Sequence, residues 1–368
     1  MSLVRPFGAA DVEQVTALYG RTLLHRTSAP SPALTDYFRS FYLDGPFRDP
    51  EINSLVHTDG DGRVTGFVGV HTVPYRIGDR PVRAAFCGAL MSREEERDPM
   101  AGARLLKAFL AGPQDVSMSE TAIAVTQAMW TRLRGSVIAG HSLDWFRVLQ
   151  PAGFAHALAN RKLPALRHLA PLTRFTDRLL GRGRKGSTLA ALVPEPAPAG
   201  LVTAEAGMDE FAALMRRASD AVTARPDWEN GYLDHVLSTA RSKPAYGEPV
   251  IAIVRTRSGE ALGGFLYHVR PGEIGRVLQI VTMPGHGGTI LDRLFADAYE
   301  RGAAGLRGRS QPWLIQASTS RQMVFATNAA SVIHTKDPTI SAPFLAGDCV
   351  LNGLAGESWN RLFGGGLR

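Results

Sequence analysis

Apolar positions along the chain fall into two successive sets with the same layout. In the first, a short run "SLVRPF" predicts a strand. Helical spacing of apolar residues follows in "AADVEQVTALYGRTL" and again in "PALTDYFRSFYL". Three strand-like runs then come in succession. "INSLVHT" passes through the turn signal "DGDG" into "RVTGFVGVHTVPYRI", which passes through "GD" into "RPVRAAFCGALM". "MAGARLLKAFLAG" predicts a helix, "DVSMSET" a strand and "IAVTQAMWTRLRG" a helix, and the set closes with the strand-like, aromatic "SVIAGHSLDWFRVLQPAGF".

The second set repeats this order. "GLVTAEA" predicts a strand, "MDEFAALMRRASDAV" and "ENGYLDHVLSTARS" helices, and "EPVIAIVRTRSGEALGGFLYHVRPGEIGRVLQIVTMP" a second three-strand meander. The amphipathic helix "GGTILDRLFADAYERGA" follows directly. Short strands and helices then alternate through "GLRGRSQPWLIQAS", "VIHTKDPTISAPFLAG" and "DCVLNGL". One helical crossover follows each meander, so each half predicts a mixed sheet with a parallel central pair. The halves share little residue identity. The expected organisation is an α/β (α+β, mixed-sheet) chain of two tandem domains, 1–157 and 200–368, joined by a segment at 158–199.

That joining segment changes composition. Arg161 to Lys185 holds eight Lys or Arg and one Asp, and a Pro/Ala-rich stretch follows. Its leucines suit packing on a neighbouring domain. The alternative is peripheral contact with an anionic membrane surface.

The 368 residues are 45% apolar and 20% charged, a globular composition with room for two domains. No apolar run is long enough to span a bilayer, and the N-terminal stretch lacks the features of a signal peptide. Cys87 and Cys349 are the only cysteines, which argues against a disulfide framework or a thiolate metal site. A cytoplasmic location is expected. The net charge of +7 suits a polyanionic ligand or an anionic surface, or reflects an arginine-preferring composition. No DNA- or RNA-recognition motif accompanies it. Phosphate-binding Walker loops, zinc-protease motifs and nucleophile elbows are absent. His334 and Asp337 are too isolated for a metal site, so no metal is expected.

The stretch "MSREEERDPMAGARLLKAFL" (91–110) carries the most informative chemistry. It joins a predicted strand to a predicted helix. A helix start offers unpaired N–H groups and the positive end of a dipole. Small residues at Ala101, Gly102 and Ala103 would let a pyrophosphate approach them. Pro99 suits a helix start, and Arg97 could neutralise a phosphate. The competing reading is a helix capped by Asp98 with no ligand.

In this register "RDPMAGARLL" resembles the acyl-CoA-binding signature of the GNAT (GCN5-related) N-acyltransferase superfamily, Arg/Gln-x-x-Gly-x-Gly/Ala. The order of elements matches that fold over nearly the whole chain, as a tandem two-domain form. Arg97 takes the Arg/Gln position and Gly102 the final Gly/Ala. Met100 stands where the family has its first glycine. In the second half, "MPGHGGTILDRL" takes the same place, with Gly285, Gly287 and Gly288, but Thr282 stands where Arg or Gln is expected. His286 reads as a loop residue. The second half resembles a degenerate copy.

The resemblance implies transfer of an acyl group, such as acetyl, from acetyl-CoA or another acyl-CoA to an amine on a small molecule or sugar. It assigns the polarising backbone N–H to Leu90, Met91 or Ser92. Thr126 and Trp130 fall at cofactor-facing positions of the helix after the fifth strand, with Trp130 where the family has a tyrosine acid. Glu120, ending the fifth strand, is the candidate general base, or else a capping carboxylate. His71 and Tyr75 could line an acceptor cleft, as could Ser117 and Ser119. Met100 and Trp130 keep a non-catalytic tandem binding module open, and a Fem-like aminoacyl transferase shares the tandem fold.

Overall fold

The structure, a computed structural model, describes residues 3–92, 98–162, 194 and 200–367. Its first sheet is built on β1 (Leu3–Pro6), β2 (Leu55–Thr58), β3 (Val64–Ile77), β4 (Arg80–Ser92) and β5 (Val116–Ala122). Helices α1 (Val12–Thr22) and α2 (Pro32–Tyr42) follow β1, α3 (Ala101–Leu110) joins β4 to β5, and α4 (Ala124–Arg132) follows β5. Short β6 (Ser136–Val137), then β7 (Asp144–Val148) and α5 (Pro151–Lys162) complete this half. The second half runs β8 (Leu201–Glu205), α6 (Met208–Ser219), β9 (Ala224–Pro226), α7 (Tyr232–Arg241), β10 (Glu248–Thr256), β11 (Ala261–Val269) and β12 (Ile274–Thr282). Then come α8 (Gly287–Glu300), β13 (Gly305–Arg309), α9 (Pro312–Ala317), β14 (Met323–Ala326), β15 (Ala330–His334) and α10 (Pro338–Ala346).

Both meanders form as the periodicity predicts. Each is antiparallel, and each is followed by a helix and a parallel strand: β4 with β5, and β12 with β13. "DCVLNGL" forms no strand; its backbone makes a single bridge, Cys349 to Ala224. The helix α5 continues past the expected boundary at residue 157 to Lys162. The rest of the joining segment, except Pro194, lies outside the described residues, and so does the expectation of membrane contact.

The halves exchange strands. β7, from the first half, lies between β13 and β14 in the second sheet. β15, from the second half, lies between β5 and β6 in the first. β9 adds to the far end of β3. Local periodicity predicted the strands but not their destinations, because pairing partners up to some two hundred residues away leave no local mark.

One apolar core spans the two sheets. It joins Val73, Phe86, Met118 and Ile333 of the first sheet to Ile251, Leu266 and Leu278 of the second, with Phe211, Leu233 and Leu237 from α6 and α7. The face of the first sheet turned away from this core is covered by α3 through Leu105, Leu106 and Phe109, together with Trp130. Tyr75 is part of the bond between halves and does not line a cleft: it is buried, and its hydroxyl donates to the carbonyl of Val350 at 2.7 Å.

Because each sheet contains a strand of the other half, heat unfolding is expected to be one cooperative transition. Ile333→Ala, in the exchanged strand, should cost ~2–4 kcal/mol and lower that single transition. Two separated calorimetric peaks would contradict the shared core.

Candidate active site

The β4–β5 pairing is short. Ala84, Ala85 and Phe86 face Val116, Ser117 and Met118, and beyond them the strands part. β4 is bent at this point. On its other side the register steps from Phe67↔Met91 to Gly69↔Gly88, so β4 carries one extra residue. That is a β-bulge, and Ala89 within it has φ +48°, a left-handed conformation that costs a non-glycine residue energy. Leu90 sits at the bulge and Ser92 at the end of β4. Met91 is buried, its sulfur accepting from the Thr22 hydroxyl at 3.3 Å, so only its backbone is available to a ligand.

The start of α3 lies against the end of β4. A Cβ placed on Gly102 would have Ser92 Oγ as its nearest neighbour, at 3.7 Å. Met100, at the N-cap position, is 55% exposed and does not fill the gap between the strands. Ala101 is buried beneath the helix. Asp98 precedes the helix without capping it: its carboxylate accepts from the Met100 N–H at 3.2 Å and from Arg104 at 2.6 Å, with His57 Nε2 at 3.4 Å. Pro99 lies in the turn just before the helix, not in its first turn. Arg97 is outside the described residues.

Trp130 requires correction. It is fully buried and meets Phe109 edge-on at 6.3 Å, so its side chain is core and not a wall of the cleft. Thr126, on the same helix, is half-buried.

The space opened between β4 and β5 receives the chain's own C-terminal segment. Glu357 reaches in so closely that any Cβ on Gly88 would collide with its Oε1. Its Oε2 accepts from the Glu120 N–H at 2.7 Å and from the hydroxyls of Thr121 and Ser119 at 3.2 and 3.3 Å. Glu120 answers in kind. Its carboxylate accepts from the N–H groups of Glu357 (2.7 Å), Ser358 (3.2 Å) and Gly353 (3.4 Å) and from the Ser358 hydroxyl (2.8 Å). Glu120 is 1% exposed. In this arrangement its carboxylate clamps the C-terminal segment through backbone and hydroxyl donors. Burial, and secondarily the Glu120 carboxylate, push the Glu357 carboxyl up to about 8. Ser119 takes part in this network, while Ser117 accepts from Gln114.

His71 lines an aromatic recess with Phe41, His235 and Trp359 on the core side of the first sheet. It stacks on Phe86 at 5.3 Å, and burial lowers its pKa to about 4, so the ring is neutral near pH 7.

The equivalent site in the second half is closed by side chains. Cβ atoms on Gly287 and Gly288 would stand 2.7 Å from Trp313 and 2.6 Å from the Arg321 guanidinium. Arg321 is held by a two-pronged bond to Asp292, both contacts 2.7 Å. The glycines there make room for packing. His286 precedes α8 in a loop. Among the described residues no cluster suits a metal ion, and no helix is long and apolar enough to cross a membrane.

Glu357 could not be picked out from the sequence. "AGESWN" has no periodicity, and its partner is more than two hundred residues away.

No protein-family model matches the chain, and no curated protein matches it in sequence. Solved structures do match in fold. A GCN5-related N-acetyltransferase from Anabaena variabilis superposes with TM-score 0.59 at 11% identity, over 92% of this chain and 73% of that one. A GCN5-related N-acetyltransferase from Kribbella flavida gives 0.54 at 13%, over 93% and 73%. Eis1 from Mycobacterium abscessus gives 0.50 at 11%, over 94% and 76%.

Two outcomes test this geometry. Glu120→Gln puts an amide where only acceptors fit; it should destabilise the protein by ~1–3 kcal/mol and speed hydrogen exchange at Gly353, Glu357 and Ser358. Glu357 binds its proton more tightly folded than unfolded. Its stabilising effect is therefore complete below its unfolded value of 4.5 and is lost as pH rises through about 8. Chemical denaturation across that range should find Glu357→Gln with a flatter stability profile than the wild type.

Proposed function

We propose that this chain, which has the fold of the GCN5-related N-acetyltransferases, transfers an acyl group from acyl-CoA to an amine, using the first half as the acyl-CoA site. The observation that carries the reading is the bulge at Gly88–Leu90, placed where β4 leaves β5 and beside the uncrowded start of α3. The residues fit the group. Among the described residues only Ser92 comes within 4 Å of a Cβ on Gly102, which suits approach of a pyrophosphate to the helix start; Met100 is exposed, and Leu90 and Ser92 lie along β4. Thr126, on α4, is a further candidate contact. Bound acyl-CoA supplies a thioester carbonyl and a thiolate leaving group.

The chain's own residues do the rest. A backbone N–H freed from the ladder at the bulge would be a fixed dipole suited to polarising a carbonyl. Glu357 replaces Glu120 as the candidate base. A carboxyl raised to about 8 takes a proton from an ammonium more readily than an ordinary carboxylate does. The aromatic recess beside His71 is the candidate path for the acceptor, an amine on a small molecule or sugar. Loss of a tyrosine-like acid at Trp130 leaves the thiolate to depart unprotonated.

One observation favours a second reading. Glu357 and Glu120 bind each other's backbone, as a closed plug would, and a tandem module that binds without chemistry would tolerate that arrangement.

Acetyl-CoA and CoA should raise the melting temperature of the full chain, and Gly102→Asp should abolish the shift. Turnover against an amine panel should rise with pH toward a plateau above about 8. Glu357→Gln should lower kcat by about a hundredfold or more and remove that pH limb. Binding without turnover would select the non-catalytic module, and no binding at millimolar concentration would defeat the cofactor assignment.

A further inference from the structure

The aromatic recess beside His71 holds polar atoms that acyl transfer alone leaves unexplained. Tyr232 Oη, His71 Nε2 and Trp359 Nε1 are each buried without a hydrogen-bond partner among the described residues, and all three residues line the recess. Tyr232 is 1% exposed, Trp359 3% and His71 9%. A buried polar group left unpaired costs free energy, so each calls for a ligand or a water. Packing does not require them. Phenylalanine in place of Tyr232 would keep the ring contacts with Phe47 at 5.0 Å and Trp228 at 5.8 Å.

The wall of the recess is neutral. Phe41, Phe47 and His235 help to complete it, and no carboxylate among the described residues lines it. Arg48 stands exposed at the rim, bonded to the Asn53 side chain. Burial holds both histidines below their ordinary value, His71 at about 4, so neither supplies a charge near pH 7. The His71 ring also hydrogen-bonds to the Gly356 backbone. With Nδ1 as the donor there, Nε2 is a bare lone pair. An ammonium entering the recess would lose its water and find no countercharge. A hydroxyl, with one donor and two acceptor sites, is the complement of an indole N–H, a phenol O–H and an imidazole lone pair. The space is about 40 Å³, little more than the roughly 30 Å³ that one water occupies in the liquid. It suits the end of a slim chain and not a sugar ring.

The recess lies beside Glu357. Gly69 and Gly88 are register partners, so their Cβ positions share one face of the sheet. A Cβ on Gly69 would collide with the hydroxyl of Tyr42, which lines the recess, and one on Gly88 with Glu357. His71 is two residues along β3 from Gly69 and on the same face.

We propose that the recess sets the acceptor class: a slim primary monoamine whose far end is a neutral hydroxyl, held by Trp359, Tyr232 and His71 while the amine reaches Glu357. This rests on the acyl-transfer reading above. Polyamines are excluded for want of a countercharge, and amino sugars by size.

The test uses the full chain and three probes of equal heavy-atom count, 5-amino-1-pentanol, hexylamine and 1,5-diaminopentane, with their shorter homologues. In titration calorimetry with CoA present, the amino alcohol of best-fitting length should bind about tenfold more tightly than the matched alkylamine or diamine. With acetyl-CoA, kcat/KM should follow the same order, and glucosamine should be a poor substrate. Tyr232→Phe should bring the alcohol and the alkylamine to within about threefold of each other. It should leave the ligand-free melting temperature unchanged or raised, because that hydroxyl has no partner to lose among the described residues. Trp359→Phe should narrow the preference in the same way. Equal affinity for the three probes, binding of none of them, or a preference unchanged in both variants overturns the assignment. So does a clear fall in the melting temperature of Tyr232→Phe, the sign of a hydroxyl already satisfied by buried water. The two readings fail separately. Turnover of all three amines at one rate leaves acyl transfer standing and sinks the hydroxyl pocket, whereas the calorimetric ranking without turnover keeps the pocket and sinks acyl transfer.

Discussion

When β4 turns away from β5, the backbone groups along their facing edges lose their ladder partners and must find others. Much of the molecule is arranged around that requirement. The Glu120 N–H is met by the Glu357 carboxylate, and Glu120 in turn gathers the N–H groups of the segment that brings Glu357 in. The C-terminal segment is thereby fixed in the first half. It also contacts the second meander, where the Leu354 N–H donates to Gln279. A bent strand, two buried carboxylates and the joining of the halves are thus parts of one solution.

The two halves have used the same plan differently. In the first, the helix start after the meander is roomy around Gly102, and the gap between strands holds a titratable carboxylate. In the second, Trp313 and Arg321 pack over the corresponding glycines. The glycine-rich sequence "GHGG" looks more like a phosphate cradle than "PMAGA" does, yet the structure gives the open helix start to the latter. Glycine marks close approach without saying what approaches.

The elements were legible in the sequence because each depends on local periodicity: the alternation in "RVTGFVGVHTV" and the apolar stripe of "GGTILDRLFADAYE" are readable over a few turns or pleats. The fold class followed from their order. Exposure at Met100 and burial at Trp130 were not readable, since a one-dimensional register with a family motif carries no information on which way a side chain turns. Glu120 was visible as a carboxylate at a strand end. Its task was set by donors at residues 353 to 358, which only the folded chain brings to it.

The exchanged strand β15 has a consequence for the order of events on the ribosome. β5 ends at Ala122, but the strand that covers its outer edge begins at Ala330. At ordinary elongation rates that delay is on the order of ten to forty seconds. Throughout it, the nascent first half presents an unpaired strand edge bearing Met118 and Ala122, the type of surface that invites pairing with a neighbouring chain. Synthesis of this protein therefore has an inherent waiting period, during which holdase chaperones have their natural point of action.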